Sequence, residues 1–313
     1  MHYRNGRKPR VTERNSILHR VQGAAFFPGG DEMKTGFRIG EFELTWLNGG
    51  RFELDGGAMF GVVPKALWRK KYPANEENYI PLAASPILVK TPGALVLIES
   101  GLGNKLTDKQ KKIFRVQEEW SLEADLEQLG LAREDIDIVI LTHYDFDHAG
   151  GVVMQDTDGR LALSFPRAKH ILQKKEWEDV MNPTIRSINT YWPVNNELMR
   201  GSRNLELVSG EAEIVPGMRV IQTGGHNSGH QIVKMESNAE KAVHMGDLLP
   251  THAHFNPLWV MAYDNYPLDS IAMKEKLIKA AVTDRAWFTF YHDAFIHACR
   301  FDEAGNVVER REA

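Results

Sequence analysis

Eleven consecutive residues, LTHYDFDHAGG at 141–151, place two histidines, two aspartates and a glycine pair directly after the apolar run IDIVI. His143 and Asp145 are two positions apart, so an extended chain turns both side chains to the same side. Asp147 and His148 follow after the chain turns, which lets one short loop present imidazole and carboxylate groups in two directions. Such a loop suits the binding of two metal ions at the end of a strand.

Three further candidates follow predicted strands later in the chain. His226 lies in TGGHNSGH after MRVIQ, Asp247 lies in HMGDLL after KAVHM, and His292 lies in FYHD after AWFTF. Because the ends of strands can converge on one point, we predict that these residues and the first loop form one site. The alternative for the first loop alone is a helix capped by Asp145 or Asp147. The later residues, in this order, favour the metal site.

Composition narrows the classes of protein and ligand. The single cysteine, Cys299, has no partner for a disulfide or a thiolate site, so a metal must be held by histidine, aspartate and glutamate. A formal net charge of -4 gives no basic field for a polyanion, and we expect no nucleic-acid partner. No apolar run approaches the roughly 18 residues of a membrane span, and the polar N-terminus has no apolar signal region. We therefore expect no membrane association and a cytoplasmic protein.

The elements that must position these residues are predicted from hydrophobic periodicity. Residues 1–22 are basic and poor in apolar residues, which predicts a surface arm. Residues 23–313 are predicted to form a single α/β domain, because strands occur in both halves with helices between them. The segment at about 166–206 is mostly helical and aromatic in pattern, and we interpret it as a helical insertion that caps the site.

The whole pattern resembles the metallo-β-lactamase superfamily. HYDFDHAGG is similar to that family's HxHxDH motif and glycine pair, and the histidine of GGHNSGH, the aspartate of GD and a last histidine come in the family's order. The segments GAMFGVVPKALW and GDLLPTHAHFNPLWVMAYDNYPL also resemble the lactonase and organophosphate-hydrolase branch. The resemblance implies an α/β fold of the four-layer αβ/βα sandwich type, with two mixed sheets flanked by helices and the site at one edge.

The resemblance also implies a ligand set for two divalent metal ions, which would be zinc, manganese or iron. The side chains around the two ions would be His143, Asp145 and His226 for one, and Asp147, His148 and His292 for the other. Asp247 would bridge the ions, and Asp147 and Asp247 would be the catalytic carboxylates. The implied activity is hydrolysis of a small ester, lactone or phosphoester by a hydroxide that both ions activate.

Asp145 departs from the family pattern, in which a second histidine usually stands at this position. A harder, more anionic ligand set shifts metal preference from zinc toward manganese or iron, and a di-iron oxidoreductase or oxygenase is therefore an alternative function. Asp145 could instead swing away and leave a weak or single metal. A non-catalytic, metal-poor binding protein is the second alternative. Pro250 stands where quorum-signal lactonases place a tyrosine, so no particular lactone is predicted.

Other residues are predicted to line or support the site. His252 and His254 could line the substrate pocket or face water as loop residues. Three aromatic residues of the insertion could form a lid or simply pack it, and they are Trp177, Tyr191 and Trp192. Glu99 could orient the ligands from behind or be a plain strand-terminal glutamate, and His230 is predicted to be a supporting or surface residue rather than a ligand. Tyr144 and Phe146 alternate with the ligands and should point away from the ions. The expected partner is a small-molecule substrate, and a homodimer is left open.

Overall fold

Two seven-stranded mixed sheets carry the fold of residues 36–313, which are the residues that the computed structural model describes. The basic arm predicted at 1–22 lies outside the described residues. In chain order the strands are β1 (Phe37–Ile39), β2 (Phe42–Trp46), β3 (Arg51–Asp55), β4 (Tyr79–Ala83), β5 (Ile87–Lys90), β6 (Leu95–Ile98), β7 (Ile138–Ile140), β8 (Val153–Gln155), β9 (Leu161–Leu163), β10 (Lys169–Gln173), β11 (Leu205–Val208), β12 (Glu211–Val215), β13 (Met218–Gln222), β14 (Gln231–Ser237), β15 (Glu240–His244), β16 (Trp287–Thr289), β17 (Ile296–Phe301) and β18 (Val307–Glu312). The helices are α1 (Gly56–Phe60), α2 (Lys65–Trp68), α3 (Asp108–Ile113), α4 (Leu122–Gln128), α5 (Phe146–Ala149), α6 (Lys174–Met181), α7 (Pro193–Asn196) and α8 (Pro267–Thr283).

The two sheets differ in the direction of their strands. The first sheet has the order β1-β2-β5-β6-β7-β10-β11, and its strands from β6 to β11 pair in parallel. The second sheet has the order β12-β13-β14-β15-β16-β17-β18, and only its β15–β16 pair is parallel. The loops at 141–151 and 245–251 follow the carboxyl ends of β7 and β15. Side chains from the two sheets can therefore meet at a shared point.

The composition of β6 shows how the layers form. This strand reads LVLI, apolar at every position, because both of its faces are buried. Val96 and Ile98 belong to the apolar layer between the sheets, whereas Leu97 points to the outer layer. Val220 and Val233 of the second sheet complete the layer between the sheets. Strand alternation therefore packs the two sheets face to face.

Helices cover the outer faces of both sheets. α4 packs on the first sheet through Leu122 and Leu126, and α8 packs on the second through Leu277, Ile278 and Ala281. The resulting order of layers is helix, sheet, sheet and helix. The four-layer αβ/βα sandwich predicted from the sequence is therefore confirmed.

The helical insertion predicted at about 166–206 is shorter in the structure. β10 and β11 lie at its two ends and pair in parallel as the last strands of the first sheet. Only α6, α7 and turns lie between them. The apolar run of β10 passes directly into the amphipathic α6 without a glycine or proline, so local periodicity does not mark the boundary.

The helices of residues 36–313 include none that is both long enough and apolar enough to cross a bilayer.

The glycine pair that ends the first motif is required by close packing. A Cβ added to Gly151 would lie 2.0 Å from the Ser100 carbonyl oxygen, and one added to Gly150 would lie 2.2 Å from that of Leu102. Both contacts are with backbone, which cannot swing aside as a flexible side chain can. The glycines therefore let the ligand loop lie against the segment that follows β6.

We predict that Gly151→Ala lowers the free energy of unfolding by about 1–3 kcal/mol, as overpacking of a rigid site usually does. Gly93→Ala is the matched control, since a Cβ there meets nothing within 4 Å. Urea unfolding of both variants gives the comparison, with a change within about 0.5 kcal/mol expected for the control. Equal stabilities of the two variants would contradict the packing role of Gly151.

Candidate metal centre

The structure brings together all the side chains predicted as ligands. Three overlapping groups of histidine and aspartate each have their ligand atoms within 4.8 Å of one another, and the groups are His143, Asp145 and His226; His143, His148 and Asp247; and Asp147, His148 and His292. These residues follow β7, β13, β15 and β16, so the ends of four strands from two sheets meet here.

Asp145 lies between two histidines of the first group. Its Oδ2 atom is 3.6 Å from His143 Nε2 and 3.3 Å from His226 Nε2. Asp145 is also the residue that precedes α5, but its side chain makes no capping hydrogen bond with that helix. The aspartate-capped helix considered from the sequence therefore does not account for the position of Asp145.

Asp247 uses different oxygens to face His226 of the first group and the two histidines of the third group. Its Oδ2 atom is 3.6 Å from His226 Nε2, and its Oδ1 atom is 3.2 Å from both His148 Nε2 and His292 Nε2. Asp147 belongs to the third group, and its Oδ2 atom is 3.6 Å from His292 Nε2. Because the two oxygens of Asp247 face different histidines, this carboxylate can bind two cations at once.

The outer nitrogen of each of the four histidines lies close to an oxygen atom of the surrounding chain. The Nδ1 contacts are with Thr142 Oγ1 at 3.0 Å for His143, Glu99 Oε1 at 3.2 Å for His148, Asp264 Oδ1 at 3.0 Å for His226, and the Ala83 carbonyl oxygen at 2.8 Å for His292. A partner on Nδ1 fixes the orientation of the ring and leaves the Nε2 lone pair available to a metal. All four Nε2 atoms consequently face the centre.

The inner atoms of this set fit metal ions. His148 Nε2 and His292 Nε2 are only 3.0 Å apart, while His292 Nδ1 donates to the Ala83 carbonyl oxygen and His148 Nδ1 lies 3.2 Å from Glu99 Oε1. Two neutral rings would set two lone pairs face to face, two protonated rings would set two positive charges together, and a single shared proton would satisfy this pair alone. His143 Nε2 and one oxygen each of Asp145 and Asp247 are also buried without a hydrogen-bond partner. Cations between these atoms would satisfy all of them.

The charge states of the surrounding groups agree with this arrangement. Burial opposes ionisation of Glu99, but the His148 and His244 imidazoles lower its pKa to about 2. Burial would also raise the pKa of Asp247, but the His292 and His148 imidazoles hold that pKa well below its usual range. Both groups are therefore carboxylates at neutral pH, one supporting a histidine and one facing the centre.

Glu99 and His230 lie close to the histidines of the candidate site. Glu99 is fully buried at φ 67°, accepts the Thr142 hydroxyl and faces His148. His230 is fully buried, has Nδ1 2.7 Å from Thr223 Oγ1, and lies with its ring 5.4 Å from that of His143. Burial and the nearby His226 imidazole lower the pKa of His230 to about 3, so this ring is neutral.

A cavity of about 430 Å³ opens onto the centre. Its floor is formed by ligands that include Asp145, Asp147 and Asp247. One wall is apolar and includes Leu54, Met59, Leu82, Phe114, Phe146 and Met261. Phe146 was expected to point away from the ions, and this prediction is wrong, because the turn into α5 rotates its ring to the cavity. Tyr144 is buried instead, and its hydroxyl donates to the Asn195 carbonyl.

The two histidines predicted to line the pocket do not line this cavity. His254 is fully buried, stacks on Phe60, and uses both ring nitrogens, one with Thr251 Oγ1 and one with the Met59 carbonyl oxygen, each at 2.8 Å. His252 Nδ1 lies against Asp293 Oδ2. Both imidazoles are held by the packing of the loop after Asp247 and have a structural role.

The three predicted lid aromatics also lie outside the cavity lining. Trp177 packs edge-on against the Tyr144 ring, and the Tyr191 hydroxyl donates to Glu176 Oε1 at 2.9 Å. Trp192 stacks on Phe146, with ring centroids 4.4 Å apart. These residues pack the insertion, which was the other interpretation of them.

Several supporting residues were not singled out from the sequence. Glu176 is fully buried, and its Oε1 accepts hydrogen bonds from three segments: the Tyr144 amide at 3.0 Å, the Tyr191 hydroxyl and Asn227 Nδ2 at 3.3 Å. Gly229 is needed beside it, since an added Cβ would lie 2.1 Å from the Glu176 nitrogen. The only local signal for Glu176 is an acidic residue on an otherwise apolar helix face.

Comparison with known proteins assigns the family. A model of the metallo-β-lactamase superfamily matches residues 79–287, more than half of the chain, and the chain belongs to this superfamily. A probable metal-dependent hydrolase from Staphylococcus aureus, solved by crystallography, is 43% identical with a TM-score of 0.84, covering 88% of this chain and 99% of that chain. The family predicted from the motif is therefore confirmed.

More distant relatives include lactonases. An N-acyl homoserine lactonase of Bacillus thuringiensis is 28% identical over 160 residues, which cover 50% of this chain and 56% of that protein. A probable metallo-hydrolase of Mycobacterium tuberculosis is 28% identical over 187 residues, which cover 54% of this chain and 57% of that protein. The chain thus spans little more than half the length of these curated relatives. The dizinc quorum-quenching lactonase AidC shares the fold, with a TM-score of 0.72 at 21% identity, over 90% of this chain and 96% of that chain.

We predict that Asp264→Asn weakens metal binding by roughly 10- to 100-fold, because the His226 ring loses the carboxylate that orients it. Asp269→Asn is the control, since Asp269 is an exposed residue of the first turn of α8. Competition with a chelating indicator measures the affinity of each variant for zinc and manganese. Wild-type affinity in Asp264→Asn would show that this carboxylate does not support the centre.

Proposed function

We propose that this protein is a hydrolase of a small ester, lactone or phosphoester that works with two divalent metal ions. The observation that carries the proposal is the position of Asp247, whose two oxygens face two separate groups of histidines. The confirmed family and the hydrolase names of the relatives support the same activity. The predicted ligands are those that the structure brings together, and their role as ligands is part of this proposal.

The chemistry divides between the ions and the chain. When bound, two divalent ions supply a Lewis acid for the substrate's carbonyl or phosphoryl oxygen and lower the pKa of water toward neutrality. The chain holds four imidazoles with Nε2 inward and keeps three carboxylates beside them. The apolar wall, with Met59, Phe146 and Met261, packs the hydrocarbon part of a substrate against this floor and excludes water.

Asp145 sets the metal preference in this proposal. A third carboxylate in place of the usual histidine makes the set harder and more negative, which favours manganese or iron over zinc. The Oδ2 atom of Asp145 lies 3.3 Å from His226 Nε2 and 3.6 Å from His143 Nε2. These distances support direct ligation rather than a side chain that swings away.

We predict that Asp145→His shifts metal selectivity toward zinc by roughly tenfold or more, because it restores a softer nitrogen donor. The control is Asp145→Asn, which removes the charge without adding an imidazole and should lower the affinity for both zinc and manganese. Equilibrating each variant with equal amounts of zinc and manganese and measuring the bound ratio makes the test. An unchanged ratio in Asp145→His would mean that residue 145 is not a ligand.

The proposed activity is tested by turnover with defined metals. Protein carrying two equivalents of manganese, zinc or iron is assayed on aryl esters, lactones and phosphotriesters, and we expect metal-dependent hydrolysis of at least one class. Asp247→Asn should lower that rate by more than about 100-fold, since even outer supports of metal ligands contribute about 10- to 100-fold. The proposal is wrong if no substrate is turned over with any of the metals.

The negative outcomes of this assay are distinguishable from one another. A coloured, iron-containing protein that hydrolyses nothing but consumes oxygen would support the di-iron oxidoreductase, which the Asp145 carboxylate favours. Fewer than one tightly bound ion per chain would support a non-catalytic binding protein instead.

A further inference from the structure

One arginine shares the cavity with the metal ligands. Arg186 lies between α6 and α7 and lines the cavity whose floor includes Asp145, Asp247 and His292. Arg186 was not singled out from the sequence, and it is an exposed residue in the structure, where most arginines are simply solvated. Its contacts in the structure differ from those of such a residue.

The guanidinium group of Arg186 is held by neutral oxygens. Its Nε donates to Asn265 Oδ1 at 2.6 Å, and its Nη2 donates to the carbonyl oxygens of Ala262 and Asp264. Asn265 in turn donates its amide N–H to the His226 carbonyl oxygen at 2.8 Å. Arg186 is therefore fixed relative to the loop that carries a metal ligand, although it comes from a different part of the chain.

The positive charge of Arg186 has no acidic partner within residues 36–313. Other arginines of the described chain, such as Arg115 and Arg300, lie within 4.0 Å of glutamate oxygens, whereas Arg186 makes no such ion pair. The three bonds described above occupy Nε and Nη2, and the Nη1 atom donates to no described residue. A positioned cation with free N–H donors beside a cavity is a binding group for an anion.

Three parts of the cavity lining differ in chemistry, alongside neutral polar residues that include Ser187, Asn189 and Asn227. The floor carries the candidate metal ligands, one wall is apolar through Leu54, Phe114 and Phe146, and Arg186 contributes a single cationic group. A neutral acyl chain would use only the floor and the apolar wall. A substrate that uses all three parts has a hydrolysable group, a hydrocarbon spacer and a terminal anion.

Resting on the function proposed above, we propose that Arg186 binds an anionic oxygen group, a carboxylate or a phosphate, on the substrate. The substrate class is then an ester or lactone with an anion at the far end of an apolar spacer. The anion lies at Arg186 while the scissile group lies over the floor, so the arginine selects and orients the substrate. Arg186 is in this sense a specificity-determining residue.

Matched substrate pairs test the proposal. The 4-nitrophenyl monoester of glutaric acid and the 4-nitrophenyl ester of pentanoic acid differ only in the terminal carboxylate, and a spacer of the same length ending in phosphate forms the third arm. We expect Arg186→Gln to lower kcat/KM for an anionic ester about tenfold more than for the neutral ester, mainly through KM, as expected for one charge-assisted hydrogen bond. The anionic ester, carboxylate or phosphate, that loses more kcat/KM in Arg186→Gln identifies the anion that Arg186 binds.

Two controls separate recognition from a bracing role. Arg200→Gln removes the same charge from an exposed residue outside the cavity lining, and the preference for the anionic ester should be unchanged. Arg186→Lys keeps the charge, so it should retain part of the preference, and added salt should reduce that preference in the wild type. If Arg186 only braces the loop at 262–265, Arg186→Gln lowers both rates equally, and the proposal is overturned.

A binding measurement keeps this test independent of turnover. Calorimetry compares glutarate with pentanoate on protein carrying zinc, and glutarate should bind about tenfold tighter to the wild type but not to Arg186→Gln. Hydrolysis without this difference would leave the proposed function standing and overturn the role of Arg186. Tighter binding of glutarate by the wild type alone, without hydrolysis of any ester, would support the anion site and overturn the proposed function.

Discussion

The structure depends on one constraint: carboxylate oxygens and imidazole nitrogens are packed together in one small buried site. Asp147 and Asp247 are largely buried with Asp145 close by, and burying carboxylates is unfavourable unless they are paired or bound to metal. The imidazoles cannot neutralise them fully, because His148 Nε2 and His292 Nε2 are 3.0 Å apart and two protonated rings would repel. Cations shared by both kinds of donor would resolve this conflict, and their binding and the local fold would then stabilise each other.

The remainder of the fold maintains this arrangement from outside. The Glu99 carboxylate faces His148 and accepts the Thr142 hydroxyl, while Asp264 faces His226. The Asp264 neighbour, Asn265, binds both the His226 carbonyl and Arg186. The network that orients the candidate ligand His226 therefore also positions Arg186 in the cavity lining. A substitution in it would affect metal binding and substrate recognition together.

The sequence was informative where a residue's role is set locally and less so where it is set by packing. His143, Asp145, Asp147 and His148 come from one short motif next to a strand, and strand ends also marked His226, Asp247 and His292, so the fold class and the side chains that the structure brings together could be predicted. Whether His254 faces the cavity depends on Thr251, Met59 and the Phe60 ring, which no periodicity reveals. Asp264 and Glu176 were missed because each is a single acidic residue whose partners lie 38 and 32 residues away along the chain.

The most direct test of the central claim is anomalous diffraction from crystals of protein purified without added chelator, recorded at the manganese, iron and zinc absorption edges. The account predicts two anomalous peaks, one beside His143, Asp145 and His226 and one beside Asp147, His148 and His292, with Asp247 between them. Electron density without a metal peak, or with these side chains separated and bound only to water, would contradict it.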